Sequence, residues 1–297
     1  MSNADAFPLT GWPLLKAARG LRILACVIGA CTSCTSAEPT RPSDPAAIPP
    51  DSTPTTVVHL EPPSSLQLTS GGTHTCILTP QGTLVCWGAA DVAGGSPDSS
   101  VRPVRISAPS LVSVSGGGDF RCGLAADGRA YCWGRNAFGQ LGDGTRIGRS
   151  TPAPVRTALR FVELSAGQSA CALTPDGRGY CWGRGDRGQL GDGVDTTGHF
   201  AALPTPVRTD LRFVHMEAGS TGACGIGTDG QTYCWGVVGA IPLAIGGSSA
   251  SNQAEDVCVG TYSMTAKHCA VPTIVDGGHR FTLLASGAAS DCGLDEG

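Results

Sequence analysis

The chain alternates short runs of apolar or β-branched residues with glycine-containing turns, and long helical patterns are not evident. The pattern is clearest in four copies of a thirteen-residue segment that starts with cysteine and ends in Cys-Trp-Gly. The copies occupy residues 76–88, 122–134, 171–183 and 224–236. Each has a turn signal such as Pro175-Asp176-Gly177 between two β-favouring runs, and glycine supplies the positive φ that such a turn requires. Each copy therefore predicts a β-hairpin, and the recurrence predicts an all-β repeated architecture.

The two cysteines of each hairpin are predicted to face one another. If residues 175–177 form a three-residue loop, Thr174 pairs with Arg178 and Cys171 lies opposite Cys181. Opposite Cα atoms at a non-hydrogen-bonded site approach to about 4.5 Å, which a disulfide can bridge. Free buried cysteines and zinc ligation are the alternatives, and the long spacing within each hairpin disfavours zinc. The predicted disulfides join Cys76 to Cys86, Cys122 to Cys132, Cys171 to Cys181 and Cys224 to Cys234.

The N-terminal segment has the features of an export signal. Basic residues precede an apolar stretch at 23–30, which has the length of a signal-peptide core and is too short to span a bilayer. The sequence Ile-Gly-Ala-Cys at 28–31 resembles the bacterial lipobox, in which the cysteine is acylated and becomes the new N-terminus. We predict a lipoprotein-type signal peptide at 1–30 and lipidation of Cys31, with a cleaved signal without lipid as the alternative.

A spacer rich in proline, serine and threonine follows at residues 31–64. Such a composition cannot build a core, so the leader and this linker are predicted to be disordered, with the linker tethering a folded domain at 65–297. The predicted location is the bacterial cell envelope, as a membrane-anchored lipoprotein, or the medium, as a secreted protein. An exported protein can keep its disulfides, so this location supports the predicted cysteine pairs.

Composition restricts the classes of partner, and the remaining cysteines indicate one further disulfide. A net charge of -4 with 15% charged residues gives no basic surface, so no nucleic-acid partner is expected. Outside the leader, linker and hairpins, Cys258 and Cys269 are predicted to close a loop within an insertion at 238–271. Cys292 then lacks a partner, because the matching position of a fifth repeat would fall beyond residue 297.

A second pattern separates the hairpins. Gly-Gln-Leu-Gly-Asp-Gly at 139–144 and 188–193 is followed by Pro-Val-Arg-Thr at 154–157 and 206–209. Together with the Cys-Trp-Gly hairpins, these segments resemble the regulator-of-chromosome-condensation repeat, including exported bacterial members labelled alpha-tubulin-suppressor-like. The resemblance implies a β-propeller with four-stranded blades, usually seven.

The chain holds four such repeats and the start of a fifth, so the implied propeller is partial. The Gly-Gln-Leu-Gly-Asp-Gly segment is also missing after Trp87 and after Trp235. Two explanations stay open: a truncated reading frame, which we favour, and an open array that self-associates through its unpaired edges.

Two repeated motifs have alternative interpretations. Asp143 and Asp192 of the Gly-Asp-Gly segments could bind a cation or phosphate, but their equivalent positions in adjacent repeats favour a turn. One tryptophan per repeat favours packing between blades over an aromatic cage. No catalytic set of histidine, serine and carboxylate can be assembled from spacing, and the insertion at 238–271 is the first candidate for a contact surface.

The sequence thus predicts a non-enzymatic binding module, exported and lipid-anchored, without cofactor or metal, whose partner is a protein or a carbohydrate. Membrane contact is expected through the lipid anchor only. Inhibition of a secreted or periplasmic enzyme is the alternative, since a bacterial β-lactamase inhibitor resembles the same propeller type. Guanine-nucleotide exchange, known in the family, fits less well with an export signal and few repeats.

Overall fold

All regular structure in the described part of the chain is β-strand. The computed structural model describes residues 26–27, 58–88, 102–195, 197–238, 258–259, 267–275, 280–286 and 291–295. Within these ranges no helix is present that could cross a membrane. The predicted all-β class is therefore confirmed, and the strands form four successive antiparallel sheets and a smaller fifth one.

The first two blades each contain four strands in sequence order. Strand β1, Cys26–Val27, precedes them in the chain. Blade 1 consists of Gln67–Ser70 (β2), His74–Leu78 (β3), Leu84–Gly88 (β4) and Val104–Ile106 (β5). Blade 2 consists of Leu111–Gly116 (β6), Phe120–Ala125 (β7), Ala130–Gly134 (β8) and Arg149–Pro154 (β9).

Blade 3 repeats this order, and the later sheets depart from it. Blade 3 consists of Glu163–Ala166 (β10), Ser169–Leu173 (β11), Gly179–Arg184 (β12) and Phe200–Pro206 (β13). Blade 4 consists of Phe213–Ala218 (β14), Gly222–Gly227 (β15), Thr232–Val238 (β16), Cys258–Val259 (β17) and Lys267–Ile274 (β18). The fifth sheet pairs Phe281–Ser286 (β19) with Asp291–Asp295 (β20), and β20 also pairs with β1.

The predicted hairpins form the second and third strands of blades 1 to 4. In blade 3 the Thr174 amide donates to the Arg178 carbonyl at 3.0 Å, and Gly177 adopts a φ of 79° in the turn between them. That φ lies in the left-handed region where glycine carries no steric cost. The predicted turn chemistry and hairpin register therefore match the observed strands.

The first strands of successive blades lie side by side at the inner edge of the array. The turns that follow them are joined by backbone hydrogen bonds, from Gly72 to Gly118 at 2.9 Å and from Gly118 to Gly167 at 2.8 Å. Side chains join them as well, since the Ser115 hydroxyl accepts from the Ala166 amide and the Ser165 hydroxyl from the Ala218 amide. The fourth strands of blades 1 to 3 consequently form the outer edge.

The hydrophobic core lies between blades. One cluster packs Trp182 of blade 3 against blade 2 residues such as Phe120 and Leu141, and another packs Trp235 of blade 4 against Leu190 of blade 3. Trp182 and Trp235 are each buried against the preceding blade. Neighbouring blades therefore stabilise one another by removing apolar surface from water.

Contacts with the blades are described from Val58 onward, within the last residues of the predicted linker. Val58 is buried, and the Leu60 amide donates to the Ala126 carbonyl of blade 2 at 2.8 Å. Apolar side chains in the last part of the predicted linker explain this contact, because they can bury surface that the proline-rich part lacks. Strand β1 lies within residues 1–30, and the signal-peptide assignment of that segment stays a prediction.

Candidate functional site

Cross-strand disulfides close the four hairpins at the positions that the sequence register indicates. Their Cα atoms lie 4.1 Å apart in every case. The bonds join Cys76 to Cys86, Cys122 to Cys132, Cys171 to Cys181 and Cys224 to Cys234. All eight cysteines are buried, so each blade carries a covalent link inside its core.

The other predicted cysteine sites are described only in part. Cys269 is buried and disulfide-bonded, and the pairing of β17 with β18 places the backbone of Cys258 opposite that of Cys269. The lipidation candidate Cys31 and most of the insertion at 238–271 lie outside the described residues.

The Gly-Gln-Leu-Gly-Asp-Gly segments join each blade to the next one. The Trp182 indole nitrogen of blade 3 donates to the Gln140 carbonyl of blade 2 at 3.0 Å. Trp235 of blade 4 makes the same bond, also 3.0 Å, to the Gln189 carbonyl. We call residues 135–148 and 185–199, which contain these carbonyls, the inter-blade loops. The repeated tryptophan is thus both a core residue and a hydrogen-bond donor across the blade boundary.

The aspartate side chains of these loops bind to other residues of the same blade and so stabilise the loop conformation. The Asp143 carboxylate accepts from the Thr145 amide and hydroxyl and from Arg149 Nε at 2.8 Å. Burial alone would raise the pKa of Asp143, but the bonds from Thr145 and Arg149 hold that pKa below its ordinary value. Asp192 contacts the His199 ring at 2.7 Å. These contacts favour the turn interpretation over a cation or phosphate site.

Among the described residues, no such bond crosses the boundary between blades 1 and 2. Trp133 of blade 2 is fully buried, yet within the described ranges its indole nitrogen has no acceptor. Trp87 of blade 1 is only partly buried, whereas Trp133, Trp182 and Trp235 are completely so. The guanidinium carbon of Arg121 lies 5.7 Å from the centre of the Trp133 ring, where blades 3 and 4 have alanine at the matching position.

Titratable side chains meet between the inner strands of blades 3 and 4. His215 Nδ1 lies 2.5 Å from Glu163 Oε1, and its Nε2 lies 3.3 Å from the Leu284 carbonyl of the fifth sheet. Glu217 Oε1 is 4.0 Å from the same Nε2. Burial would lower the pKa of His215, but Glu163, Leu284 and Glu217 outweigh burial and raise it.

This cluster joins three sheets and is not a catalytic triad. The Ser165 hydroxyl donates to the Glu217 carboxylate, so its partner is a carboxylate and not the imidazole that would activate it as a nucleophile. Both ring nitrogens of His215 face oxygen acceptors, which suits an imidazolium that donates twice. The described residues also contain no group of three or more metal-ligating side chains. The sequence does not indicate this cluster, because its members differ in type at equivalent positions of successive repeats: His215 replaces Glu163, and Glu217 replaces Ser165.

Comparison with known families identifies the repeats. Two descriptions of the regulator of chromosome condensation (RCC1) repeat match the chain, one at residues 127–173 and 176–226 and the other at 66–91 and 111–140. Curated protein sequences give no match.

Several solved structures share the fold. Prp20p from Saccharomyces cerevisiae is 20% identical over 78% of this chain and 56% of its own, with a TM-score of 0.60. Human WBSCR16 is 18% identical over 80% of this chain and 59% of its own, with a TM-score of 0.61. Yeast RCC1 (Prp20) bound to Kap60 is 19% identical over 78% of this chain and 54% of its own, with a TM-score of 0.59.

The chain therefore spans little more than half the length of these structures, which at such identities establish the fold alone. The repeat matches, the blade order and the shared fold agree. The chain belongs to the regulator of chromosome condensation (RCC1) repeat family of β-propellers.

Proposed function

We propose that this chain is a non-enzymatic binding module, exported and lipid-anchored through Cys31, whose blades present a rigid surface to a protein or carbohydrate partner. The observation that carries the proposal is that the blades are made rigid in two ways, by disulfides and by hydrogen bonds between blades. Each of the four blades has a disulfide within its hairpin, and blades 3 and 4 are hydrogen-bonded through tryptophan to the loop of the preceding blade. Loops held by a rigid scaffold are the usual carriers of binding function.

Similar propellers support a protein partner. The yeast structure contains Kap60 bound to RCC1, and Prp20p is described as binding Gsp1p and histones. Those partners belong to those proteins. For this chain they support only the general class of partner, because a shared fold does not carry a specific ligand with it.

The cysteine pairs support export. Four disulfide bonds lie within the described blades, and such a number would be unusual in a reducing compartment. The lipobox-like sequence that ends at Cys31 supports lipid anchoring of the exported chain. A lipid at that cysteine would leave the blades on a tether of roughly 3 Å per residue.

Membrane fractionation and lipid labelling test the anchor. The wild-type chain is expected in the membrane fraction and to incorporate a clickable palmitate analogue, whereas Cys31→Ala loses both. Cys34→Ala is the matched control, because Cys34 lies three residues away in the same linker. Recovery of the unmodified wild type in the cytosol, with all thiols alkylated before reduction, would contradict export and the disulfides together.

A cross-linking experiment tests binding itself. The exposed side chains Ile147 and Val214, which are 69% and 61% exposed, are replaced one at a time by p-benzoylphenylalanine in the producing cell. A binding module is expected to give a discrete protein or glycoconjugate adduct at one of these positions after irradiation. If neither position gives an adduct, the proposal of a binding surface on these blades is wrong.

A further inference from the structure

Apolar side chains are exposed at the outer edge of blade 3. Phe200 and Leu203 of strand β13 are 37% and 42% exposed, and Ile147 from the inter-blade loop of blade 2 is 69% exposed. The matching edge strand of blade 2 has the sequence Arg-Ser-Thr-Pro-Ala-Pro, with Thr151 at the position of Leu203. The apolar edge therefore distinguishes blade 3 from blade 2, while blade 4 has the half-buried Val271 at the position of Leu203. Exposed clusters of large apolar residues mark interaction surfaces.

The surrounding contacts hold the backbone of β13, the Phe200 ring and the Arg146 side chain in place. The Gly144 amide of the inter-blade loop donates to the Ala202 carbonyl of β13 at 2.9 Å. The guanidinium carbon of Arg146 lies 4.9 Å from the centre of the Phe200 ring, and its Nε donates to the Ala137 carbonyl at 2.6 Å. A partner would consequently meet a formed surface with little ordering cost.

Arginine side chains flank the apolar residues. A Cβ at Gly144 would lie 3.4 Å from Arg156 Nη1 and 3.5 Å from Leu203 Cδ2, so Arg156 and Leu203 border the same glycine. Arg146 and Arg156 are exposed, and neither has a salt bridge among the described residues. The nearby carboxylate of Asp143 is already bonded to Arg149 and Thr145, and its side chain is 7% exposed. The local charge is therefore positive although the chain is acidic overall.

A neighbouring strand is a poor candidate for the occupant of this edge. Pro204 and Pro206 lie within β13 and have no amide hydrogen to donate, and the Ala202 carbonyl is already used. Proline on an edge strand blocks pairing with another strand. Recognition must therefore come from side chains.

We propose that Ile147, Phe200 and Leu203, together with Arg146 and Arg156, form a docking site for an acidic amphipathic protein segment. We call these five residues the rim patch. Apolar side chains of the partner pack on Leu203 and Ile147, while its carboxylates pair with Arg156, whose planar guanidinium suits bidentate contacts. An apolar centre with arginine at its border is the usual composition of a protein interface. An anionic glycan would need the arginines but not the aliphatic side chains.

This inference rests on the proposed binding function and names the partner class and the surface. The first test uses the full chain and fluorescence anisotropy with a labelled peptide that carries glutamate on one helical face and leucine on the other. Leu203→Asp and Arg156→Glu are each expected to weaken peptide binding about tenfold, because one removes the apolar contact and the other reverses the charge. Thr151→Asp is the matched control at the equivalent position of blade 2, and it should leave binding unchanged.

The second test uses a heparin fragment under the same conditions. Heparin binding that falls in Arg156→Glu but not in Leu203→Asp, without peptide binding, would assign the patch to an anionic glycan and overturn the proposal. Equal losses in Thr151→Asp and Leu203→Asp would show unspecific charge effects and would also overturn it.

The cross-linking experiment separates this inference from the general function. A protein adduct at Ile147 that disappears in Arg156→Glu supports the rim patch. An adduct at Val214 alone keeps the binding function but contradicts this surface. The absence of adducts at both positions contradicts the function and the surface together.

Discussion

Blades 2 and 3 meet through a loop that blades 1 and 2 do not share. At the boundary between blades 2 and 3, the Trp182 indole nitrogen donates to the Gln140 carbonyl. At the boundary between blades 1 and 2, the buried Trp133 nitrogen has no acceptor among the described residues, and the Gly-Gln-Leu-Gly-Asp-Gly segment is missing from the sequence after Trp87. The hairpin and its disulfide are the same on both sides.

This difference between the two boundaries shows that the hairpin and the inter-blade loop have separate structural roles within one repeat. The hairpin with its disulfide closes a blade, while the inter-blade loop joins that blade to the next one. Blade 1, which lacks the Gly-Gln-Leu-Gly-Asp-Gly segment, keeps its own sheet, and the buried Trp133 indole nitrogen of blade 2 has no acceptor among the described residues, which is costly. Variants of each part should therefore change different boundaries.

The largest loss of stability is expected when a side chain is added at the boundary between blades 2 and 3, where the indole hydrogen bond lies. Gly142 has a φ of 62°, and a Cβ there would lie 2.8 Å from Trp182 Nε1. Gly142→Ala should lower the free energy of unfolding by about 2 to 4 kcal/mol, through backbone strain and collision with the indole. Urea unfolding followed by tryptophan fluorescence measures the change.

Gly198→Ala is the control for backbone strain alone. Gly198 has a φ of 83°, but nothing lies within 4 Å of an added Cβ. Its cost should be about 1 kcal/mol. Equal costs for the two alanine variants would show that contact with Trp182 does not matter.

Removal of disulfides should affect the two regions alike. The variants Cys76→Ser/Cys86→Ser and Cys171→Ser/Cys181→Ser each open a loop with a sequence separation of 10. Loop-closure entropy predicts a loss of about 2 to 3 kcal/mol for either variant. A much larger loss in blade 1 would mean that its disulfide compensates for the missing inter-blade bond, and would link the two roles.

Substitution of tryptophan by phenylalanine compares the boundaries directly. Trp182→Phe removes the hydrogen bond and leaves the buried Gln140 carbonyl without that donor. Trp133→Phe loses similar packing but no hydrogen bond to any described residue, and it keeps an aromatic ring beside Arg121. Trp182→Phe should therefore cost about 1 kcal/mol more than Trp133→Phe. If thermal or urea unfolding ranks them in the opposite order, the indole bond is not what distinguishes the boundaries.

The hairpins could be predicted from sequence because their contacts are local. The spacing of Cys171, Cys181 and the intervening turn determines the register within one copy, and the observed pairing follows it. The bond between Trp182 and Gln140 spans 42 residues and two repeats, and its acceptor is a backbone carbonyl, so no residue type indicates it. The rim patch could not be predicted because the position of Leu203 varies between copies, with Arg102, Thr151 and Val271 at the equivalent places.

The smallest expected effect is a pH dependence at the boundary between blade 4 and the fifth sheet. Glu163, with smaller contributions from the Leu284 carbonyl and Glu217, raises the pKa of His215 above its ordinary value of 6.5 despite burial. A raised pKa in the folded state adds stability that is complete below pH 6.5 and disappears as the pH rises through the folded value. Deprotonation leaves one donor for two acceptors, so either Glu163 or the Leu284 carbonyl loses its bond.

Urea midpoints of the wild type should decline as the pH rises above 6.5, and His215→Gln should show a flatter profile over the same range. A wild-type midpoint that rises there, with the same slope in His215→Gln, would mean that the imidazolium does not hold these sheets together.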